Sequence, residues 1–196
     1  MDKKYTWTID TELDFGGRTN GIEGLQVGLP KILKTFKEFN VKALFFISTE
    51  ALDFHKSFIY DIMRDGHEIG NHGHFHYCFK EPWRQRQNMV IGQTVLKAYS
   101  MQDRYEYRAP KFHNSVYGHE YSYRDGHLGL LKQLWLNRQI PSNPIFYLHP
   151  FDLVEGVKAP NLFCKLWYSR PKEAYDLFRR LVRLYPGDMR LDKVSD

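Results

Sequence analysis

Two histidines four positions apart, His72 and His76, form the clearest chemical pattern in the chain, and a third imidazole, His74, lies between them. Imidazoles at positions i and i+4 converge on one metal ion where the segment turns helically, and neutral imidazole is the commonest side-chain ligand for a transition metal. Any single histidine is more often a packed or surface residue. The pair therefore indicates half of a metal site, and this interpretation depends on a further ligand.

Carboxylates that could supply that ligand follow a short apolar run, residues 5–9, which reads as a β-strand. Asp10, Glu12 and Asp14 stand at its end, and in an extended segment Asp10 and Glu12 project to the same side. Two histidines with one of these carboxylates make a three-ligand site that leaves a position open for water. That arrangement is typical of catalytic rather than structural metal centres.

Four motifs stand at the ends of apparent short strands, and their order carries more information than any one of them. They read Thr-Ile-Asp-Thr-Glu (8–12), Gly-His-Glu-Ile-Gly-Asn-His-Gly-His-Phe-His (66–76), Tyr-Arg-Ala-Pro-Lys-Phe (107–112) and Phe-Tyr-Leu-His-Pro-Phe (146–151). In this order they resemble the motifs of the polysaccharide deacetylase family, which is carbohydrate esterase family 4 or the NodB homology fold. Residues 41–48 resemble that family's second strand. The resemblance implies a short member with a distorted, abridged (β/α) barrel.

The resemblance implies a metal site in this chain. His72 and His76 match the two histidine ligands of the family. Thr11 stands where the family usually has a metal-binding Asp, so the sequence is similar to relatives with a D-x-E form, and Glu12 becomes the carboxylate ligand. Asp14 stays open as an alternative ligand. The implied cofactor is a divalent ion, first of all Zn²⁺, with Co²⁺, Ni²⁺ and Mn²⁺ as alternatives.

The resemblance also implies three catalytic residues. Asp10 matches the family's catalytic base, and Arg108 matches the arginine that pairs with it; a fixed guanidinium orients a carboxylate and lowers its pKa. His149 matches the late histidine that acts as the general acid. Hydrolysis of an acetamide needs an activated water, an electrophile for the carbonyl oxygen and a proton for the leaving amine. The matched residues and the ion together would provide all three.

The implied function is that of a metal-dependent hydrolase that removes an N-acyl group, first of all N-acetyl, from an amino sugar or a sugar-containing precursor. Alternatives are a deformylase or amidase acting on a lipid-linked sugar or a cyclic amide, and a degenerate member that binds carbohydrate without cleaving it. Two departures motivate them. The second Asp of the first motif is missing, and only 36 residues separate Phe112 from His149, where residues 121–126 are the nearest counterpart of the family's Tyr-Asp-Ser-Ser-like signature. A rival from another class is a basic nucleic-acid-binding or scaffold protein, which would show salt-dependent binding and no hydrolysis.

A length of 196 residues with 42% hydrophobic residues fits a single domain, residues 1–196, with a sizeable core. Strands are predicted at about 5–10, 41–48, 67–70, 104–108 and 144–148, and helices at about 25–39, 54–65, 84–101, 127–137 and 171–184. Strand and helix alternate five times, which predicts an all-parallel sheet. Every motif follows a strand, where parallel α/β folds place their sites.

The net charge of +5 favours an acidic partner, such as a phosphate-bearing nucleotide-linked sugar or an anionic lipid surface. Arg179, Arg180, Arg183 and Arg190 cluster in the last predicted helix, where a solvated face and a membrane-surface patch are both consistent with the pattern. The other basic residues are dispersed, so nucleic acid is not expected as a partner. The sequence identifies neither the sugar nor the oligomeric state.

The first strand begins by residue 5, which leaves no room before it for a signal peptide, and no run of 18 apolar residues is present. A cytoplasmic location is therefore expected. In that compartment Cys78 and Cys164 are free thiols. A cytoplasmic deacetylase would act on a lipid-linked, nucleotide-linked or free N-acylated sugar rather than on an extracellular polymer.

Overall fold

The computed structural model describes residues 6–77, 79–100, 102, 105–110, 145–156, 160–161 and 174–186. These residues contain one sheet with strands β1, Thr6–Thr11; β2, Leu44–Ile47; β3, Glu68–Asn71; and β4, Ile145–Leu148. The strands are all parallel and lie in the order β3-β2-β1-β4. The parallel sheet predicted from the alternation of strands and helices is confirmed, and β1 lies between β2 and β4.

The helices connect the strands in the way that parallel pairing requires. They are α1, Asp14–Gly17; α2, Leu29–Glu38; α3, Ala51–Phe54; α4, Phe58–Arg64; α5, Pro82–Ser100; and α6, Ala174–Leu184. A π-helical turn, Gly24–Gly28, leads into α2, and a 3-10 turn, Pro150–Leu153, follows β4. Among the residues described, none of the helices combines the length and the apolarity that a membrane crossing requires.

Two predicted elements differ in the structure. The strand predicted at about 104–108 is, in its described part, a single parallel bridge between Tyr107 and Asn71, because only this residue pair continues the sheet beyond β3. The helix predicted at about 54–65 begins later, as α4 at Phe58, and residues 55–57 separate it from the short helix α3, which ends at Phe54. The predicted helix at 127–137 and the run at 121–126 lie outside the described residues.

The core lies against one face of the sheet, where aromatic rings predominate. Trp7 of β1 stacks on Phe146 of β4 with 4.3 Å between ring centroids, and it meets Phe36 of α2 and Phe178 of α6 edge-on at 5.7 Å. Such ring pairs stabilise a core beyond the contribution of buried area. Because side chains alternate along a strand, residues 8 and 10 of β1 occupy the face opposite Trp7. This alternation places the polar side chains of Thr8 and Asp10 on the face of the sheet that is opposite Trp7.

Candidate functional site

The six residues predicted from the sequence lie together at the carboxyl-terminal edge of the sheet. Each lies at the end of a strand, or shortly after a strand or the Asn71–Tyr107 bridge. The loops of a parallel sheet meet at this edge. Five of them, all but His76, are at most 6% exposed. The six are Asp10, Glu12, His72, His76, Arg108 and His149.

Glu12, His72 and His76 form the group with the geometry of a metal site, since one ligand atom from each lies within 4.8 Å of the others. Nε2 of His76 lies 2.8 Å from Oε2 of Glu12, and Nε2 of His72 lies 3.5 Å from the same oxygen. Nδ1 of His72 donates to the carbonyl oxygen of Arg108 at 2.7 Å, and Nδ1 of His76 donates to that of Gly16 at 3.0 Å. With the proton on Nδ1, each ring turns the Nε2 lone pair toward Glu12.

The Glu12 carboxylate and the His72 ring leave polar atoms that fit a divalent ion. Neither carboxylate oxygen of Glu12 nor Nε2 of His72 has a hydrogen-bond partner of normal geometry among the described residues, although both side chains are buried. Buried polar atoms normally have partners, so an orphaned set in one place indicates a missing one. Two imidazole nitrogens and one carboxylate oxygen are a ligand set that Zn²⁺ and similar ions accept, with a further position open. These residues therefore fit the implied ion.

Asp14, the alternative carboxylate ligand, does not join this group. Its two oxygens accept the backbone N–H groups of Glu23 and Gly24, both at 2.9 Å. Burial and a hydrogen bond with the Glu23 side chain raise the pKa of Asp14 to about 7, although the Gly24 N–H acts in the opposite direction. The carboxylate thus closes the loop that leads into the Gly24–Gly28 turn.

Asp10 and Arg108 form a buried ion pair beside the metal group. Nη1 of Arg108 donates to Oδ1 of Asp10 at 2.6 Å, and Nη2 donates to Oγ1 of Thr8 at 2.9 Å. Thr8 in turn donates to the carbonyl oxygen of Phe146 at 2.9 Å, and the guanidinium lies 4.1 Å above the ring of Phe46. Burial acts to raise the pKa of Asp10, but the Arg108 charge outweighs it and holds this pKa below its ordinary value. Asp10 is therefore an ionised carboxylate.

His149 reaches the same place from β4. Its Nε2 lies 3.3 Å from Oε1 of Glu12 and 3.3 Å from the hydroxyl of Tyr147, and its ring stacks on Phe151 with centroids 4.9 Å apart. Burial acts to lower the pKa of His149, but the carboxylates of Glu12 and Asp152 outweigh it and raise this pKa above its ordinary value. The imidazole is therefore suited to carry a proton in the site.

The loop that carries the two histidine ligands is held by residues that sequence reasoning missed. Oδ1 of Asn88 in α5 accepts the backbone N–H groups of His74 and Phe75, and its Nδ2 donates to the carbonyl oxygen of Phe75. His74 itself bonds through Nδ1 to Thr49 at 2.9 Å and makes no described contact with the carboxylates. Asn88 is buried within a stretch of α5 that is otherwise mostly exposed. The sequence alone does not indicate its role, because the loop that it contacts comes close only in the folded structure.

The sequence model of the family described as Polysaccharide deacetylase matches residues 21–120. The first and last motifs, residues 8–12 and 146–151, lie on either side of this match. No curated protein matches the chain by sequence.

Several solved structures share the fold. A carbohydrate esterase family 4 pseudoenzyme from Bacillus anthracis has a TM-score of 0.61 and 17% identity, and the match covers 95% of this chain and 63% of that chain. A mutant of that pseudoenzyme with restored enzymatic activity has a TM-score of 0.62 and 17% identity, with 96% of this chain and 66% of that chain covered. A family 4 carbohydrate esterase from Bacillus anthracis has a TM-score of 0.55 and 20% identity, covering 93% and 76%.

The chain spans less than two thirds of the length of the pseudoenzyme. At these identities the likeness shows the fold, which is the abridged NodB-type (β/α) barrel predicted from the motifs. The family match by sequence covers 100 of the 196 residues. The chain therefore belongs to the polysaccharide deacetylase family.

Proposed function

We propose that this protein is a metal-dependent hydrolase that removes an N-acetyl group from an amino sugar. The observation that carries the proposal is the metal-binding geometry of Glu12, His72 and His76. Among the described residues, buried atoms of Glu12 and His72 have no hydrogen-bond partner of normal geometry, and the group lies beside the ionised Asp10 and next to His149. Membership of a family that acts on N-acetylated sugars supports the choice of bond. A protein that used its histidines only to fix a loop would need neither the ionised Asp10 nor the His149 imidazole beside them.

Glu12, His72 and His76 would hold the divalent ion. When bound, such an ion polarises a carbonyl and lowers the pKa of water to about 7. Asp10 offers its Oδ2 as a proton acceptor, since Arg108 holds the other oxygen and keeps the carboxylate ionised. Oδ2 faces the metal group at 3.4 Å from Nε2 of His72. Asp10 is thus placed to take a proton from water near the ligands.

His149 would supply the proton that the departing amine needs. His149 follows β4 at one edge of the sheet, and Arg108, which holds Asp10, follows the bridge to β3 at the other edge. A substrate amide bound between Asp10 and His149 would have a base on one side and an acid on the other. General acid and base groups placed in this way contribute roughly 10²- to 10⁴-fold each. This division of labour requires His149 to enter the reaction protonated, in agreement with its raised pKa.

The substrate is proposed to carry its sugar on a phosphate, as a nucleotide- or lipid-linked precursor. The support is the net charge of +5 and helix α6, which buries Phe178, Leu181 and Val182 and turns Arg180 and Arg183 outward. Arg179 contributes less to an anion-binding surface because it is paired with Glu38 at 2.6 Å. A free amino sugar is the competing substrate.

One experiment separates the proposed function from its alternatives. Metal content of the purified protein is measured first, and release of free amine from N-acetylated and N-formylated sugars is then followed with and without a chelator. We expect about one divalent ion per chain, and acetate release that chelation abolishes. Faster release of formate would favour the deformylase. Sugar binding without any release would show a non-catalytic member, like the pseudoenzyme that shares the fold.

A further inference from the structure

The two histidines of the metal group are held in different ways. His72 is 1% exposed, and its backbone N–H donates to the carbonyl oxygen of Ile47 at 2.9 Å, so the sheet fixes this residue directly. His76 lies four residues later, outside the helices and strands, and its side chain is 8% exposed. The position of His76 therefore depends on the contacts that its loop makes with other segments.

The segment that follows β2 makes several of these contacts. The backbone N–H of Thr49 donates to the carbonyl oxygen of Gly73 at 3.0 Å. The backbone N–H of Glu50 and the hydroxyl of Ser48 both donate to the carbonyl oxygen of His74, at 2.9 and 3.0 Å. The Thr49 hydroxyl is hydrogen-bonded to Nδ1 of the same histidine at 2.9 Å. Three consecutive residues therefore hold the middle of the loop.

The side chain of Glu50 extends this contact to His76 itself. Its Oε1 accepts the backbone N–H of His76 at 2.8 Å. The same oxygen lies 3.3 Å from the position of a Cβ atom built on Gly17. The neighbouring residue Gly16 has the carbonyl oxygen that accepts Nδ1–H of His76 at 3.0 Å. The Glu50 carboxylate thus lies between the main chain of His76 and the turn that orients its ring.

We propose that Glu50 is a positioning residue for His76 and thereby sets the affinity of the site for its divalent ion; this role rests on the proposed function. A hydrogen bond from a backbone N–H to a carboxylate is charge-assisted and is stronger than one between neutral groups. It fixes the main chain of His76 while Gly16 fixes the ring, so Nε2 stays 2.8 Å from Oε2 of Glu12. Without Glu50, binding of the ion would also have to order the loop, which lowers the affinity.

Two substitutions separate the reach of the Glu50 side chain from its charge. Glu50→Gln loses the charge but keeps an acceptor oxygen of the same reach, and Glu50→Asp keeps the charge but is shorter by one methylene. Zinc titration calorimetry on the metal-free full chain should give nearly wild-type affinity for Glu50→Gln. The affinity should fall by roughly 10- to 100-fold in Glu50→Asp and Glu50→Ala. Asp53→Ala, which removes an exposed acid of α3, is the matched control and should bind zinc as the wild type does.

Turnover measured against zinc concentration distinguishes positioning from general damage to the site. In Glu50→Ala the zinc concentration that gives half-maximal activity should rise with the dissociation constant. At saturating zinc, kcat on an N-acetylated amino sugar should return to near the wild-type value, because Asp10 and His149, rather than Glu50, are placed to transfer protons. Urea unfolding of the metal-free proteins verifies that each variant is folded.

Three results would overturn the role of Glu50 and leave the proposed function in place. They are wild-type zinc affinity in Glu50→Asp and Glu50→Ala, equal losses in Glu50→Gln and Glu50→Ala, and a kcat in Glu50→Ala that stays low at saturating zinc. A wild-type protein that binds zinc but releases no acetate would overturn the proposed reaction alone, since the calorimetry does not depend on turnover. A wild type that binds no divalent ion would overturn both proposals.

Discussion

Oδ1 of Asp10 accepts a hydrogen bond from Nη1 of Arg108 at 2.6 Å, and both side chains are buried. The guanidinium is itself held by Thr8 and by the ring of Phe46, so it cannot follow the carboxylate if the latter rotates. The pair therefore fixes the Asp10 carboxylate with Oδ2 turned toward His72. Its geometry leads directly to two predictions.

Asp10→Asn should retain the metal ion and lose activity by roughly 10²-fold or more, because the amide cannot accept the proton of water. Metal content and kcat are measured on the same preparation. Asp53→Asn, which alters an exposed aspartate in α3, serves as the control and should behave as the wild type. Unchanged turnover in Asp10→Asn would remove Asp10 from the mechanism.

Arg108→Ala should shift the acidic limb of the kcat/KM profile to higher pH. Arg108 holds the pKa of Asp10 low against the effect of burial, so its loss lets the carboxylate keep its proton to higher pH, and the base is active only above its pKa. Arg84→Ala, which removes an exposed arginine, should leave the limb in place. If Arg108→Ala and Arg84→Ala both keep the wild-type acidic limb, a group other than Asp10 determines that limb.

Substitution of the three proposed ligands, and of the alternative carboxylate Asp14, tests the metal site. Glu12→Ala, His72→Ala and His76→Ala should each lose the ion, because each removes one member of a three-residue set. Asp14→Asn should retain it, since Asp14 bonds to the main chain of Glu23 and Gly24 and lies outside the set. Metal content and zinc titration calorimetry report the result. Loss of the ion from Asp14→Asn but not from Glu12→Ala would exchange the two assignments.

His67 should make the protein less stable as the pH falls. Burial, reinforced by Lys42, lowers the pKa of His67 to about 4, and the neutral ring accepts the backbone N–H of Ala43 at 3.2 Å. An unfolded His titrates near 6.5, so the unfolded chain binds more protons between about pH 4 and about 6.5. The contribution of His67 is complete above this window and decreases by up to about 3 kcal/mol as pH falls through it.

Urea unfolding from about pH 7 to about pH 4 measures this effect. His67→Gln keeps an acceptor for Ala43 but does not titrate, so its free energy of unfolding should depend less on pH than that of the wild type. His55→Gln is the control, because His55 lies outside the sheet at the end of α3. A wild-type pH dependence in His67→Gln would assign the acid sensitivity to other groups.

Asn88→Ala should loosen the loop between His72 and His76. It leaves the backbone N–H of Phe75 without its acceptor and the carbonyl oxygen of Phe75 without its donor, at a cost of about 1 to 3 kcal/mol in stability, whereas the N–H of His74 keeps the main-chain carbonyl of residue 88. Zinc affinity should fall by roughly 10- to 100-fold, the usual effect of losing support behind a ligand. Gln87→Ala, at the neighbouring exposed position, should change neither quantity. Equal zinc affinity in the two variants would show that the loop holds its shape alone.

The sequence was informative where chemistry and periodicity coincide. The alternation along β1 predicted that Asp10 and Glu12 project to the same side, and the motif order predicted the fold and the neighbours of these residues. It could not predict the contacts that support them. Asn88 acts through a loop that tertiary packing brings next to it, so its residue type alone does not mark it. The predicted strand at about 104–108 alternates charged residues with tyrosines, a pattern that is typical of a strand but does not determine how many of its residues pair with β3.

The strand order has a consequence for how this site is divided along the chain. β1 pairs with β2 on one side and with β4 on the other, and Thr8 is hydrogen-bonded to a carbonyl 138 positions later. Strands β1, β2 and β3 with the loop after them bear Glu12, His72 and His76, so every ligand of the metal group precedes Arg108 and His149 along the chain. The metal group is therefore complete without β4, and His149 joins it only through the pairing of β4 with β1.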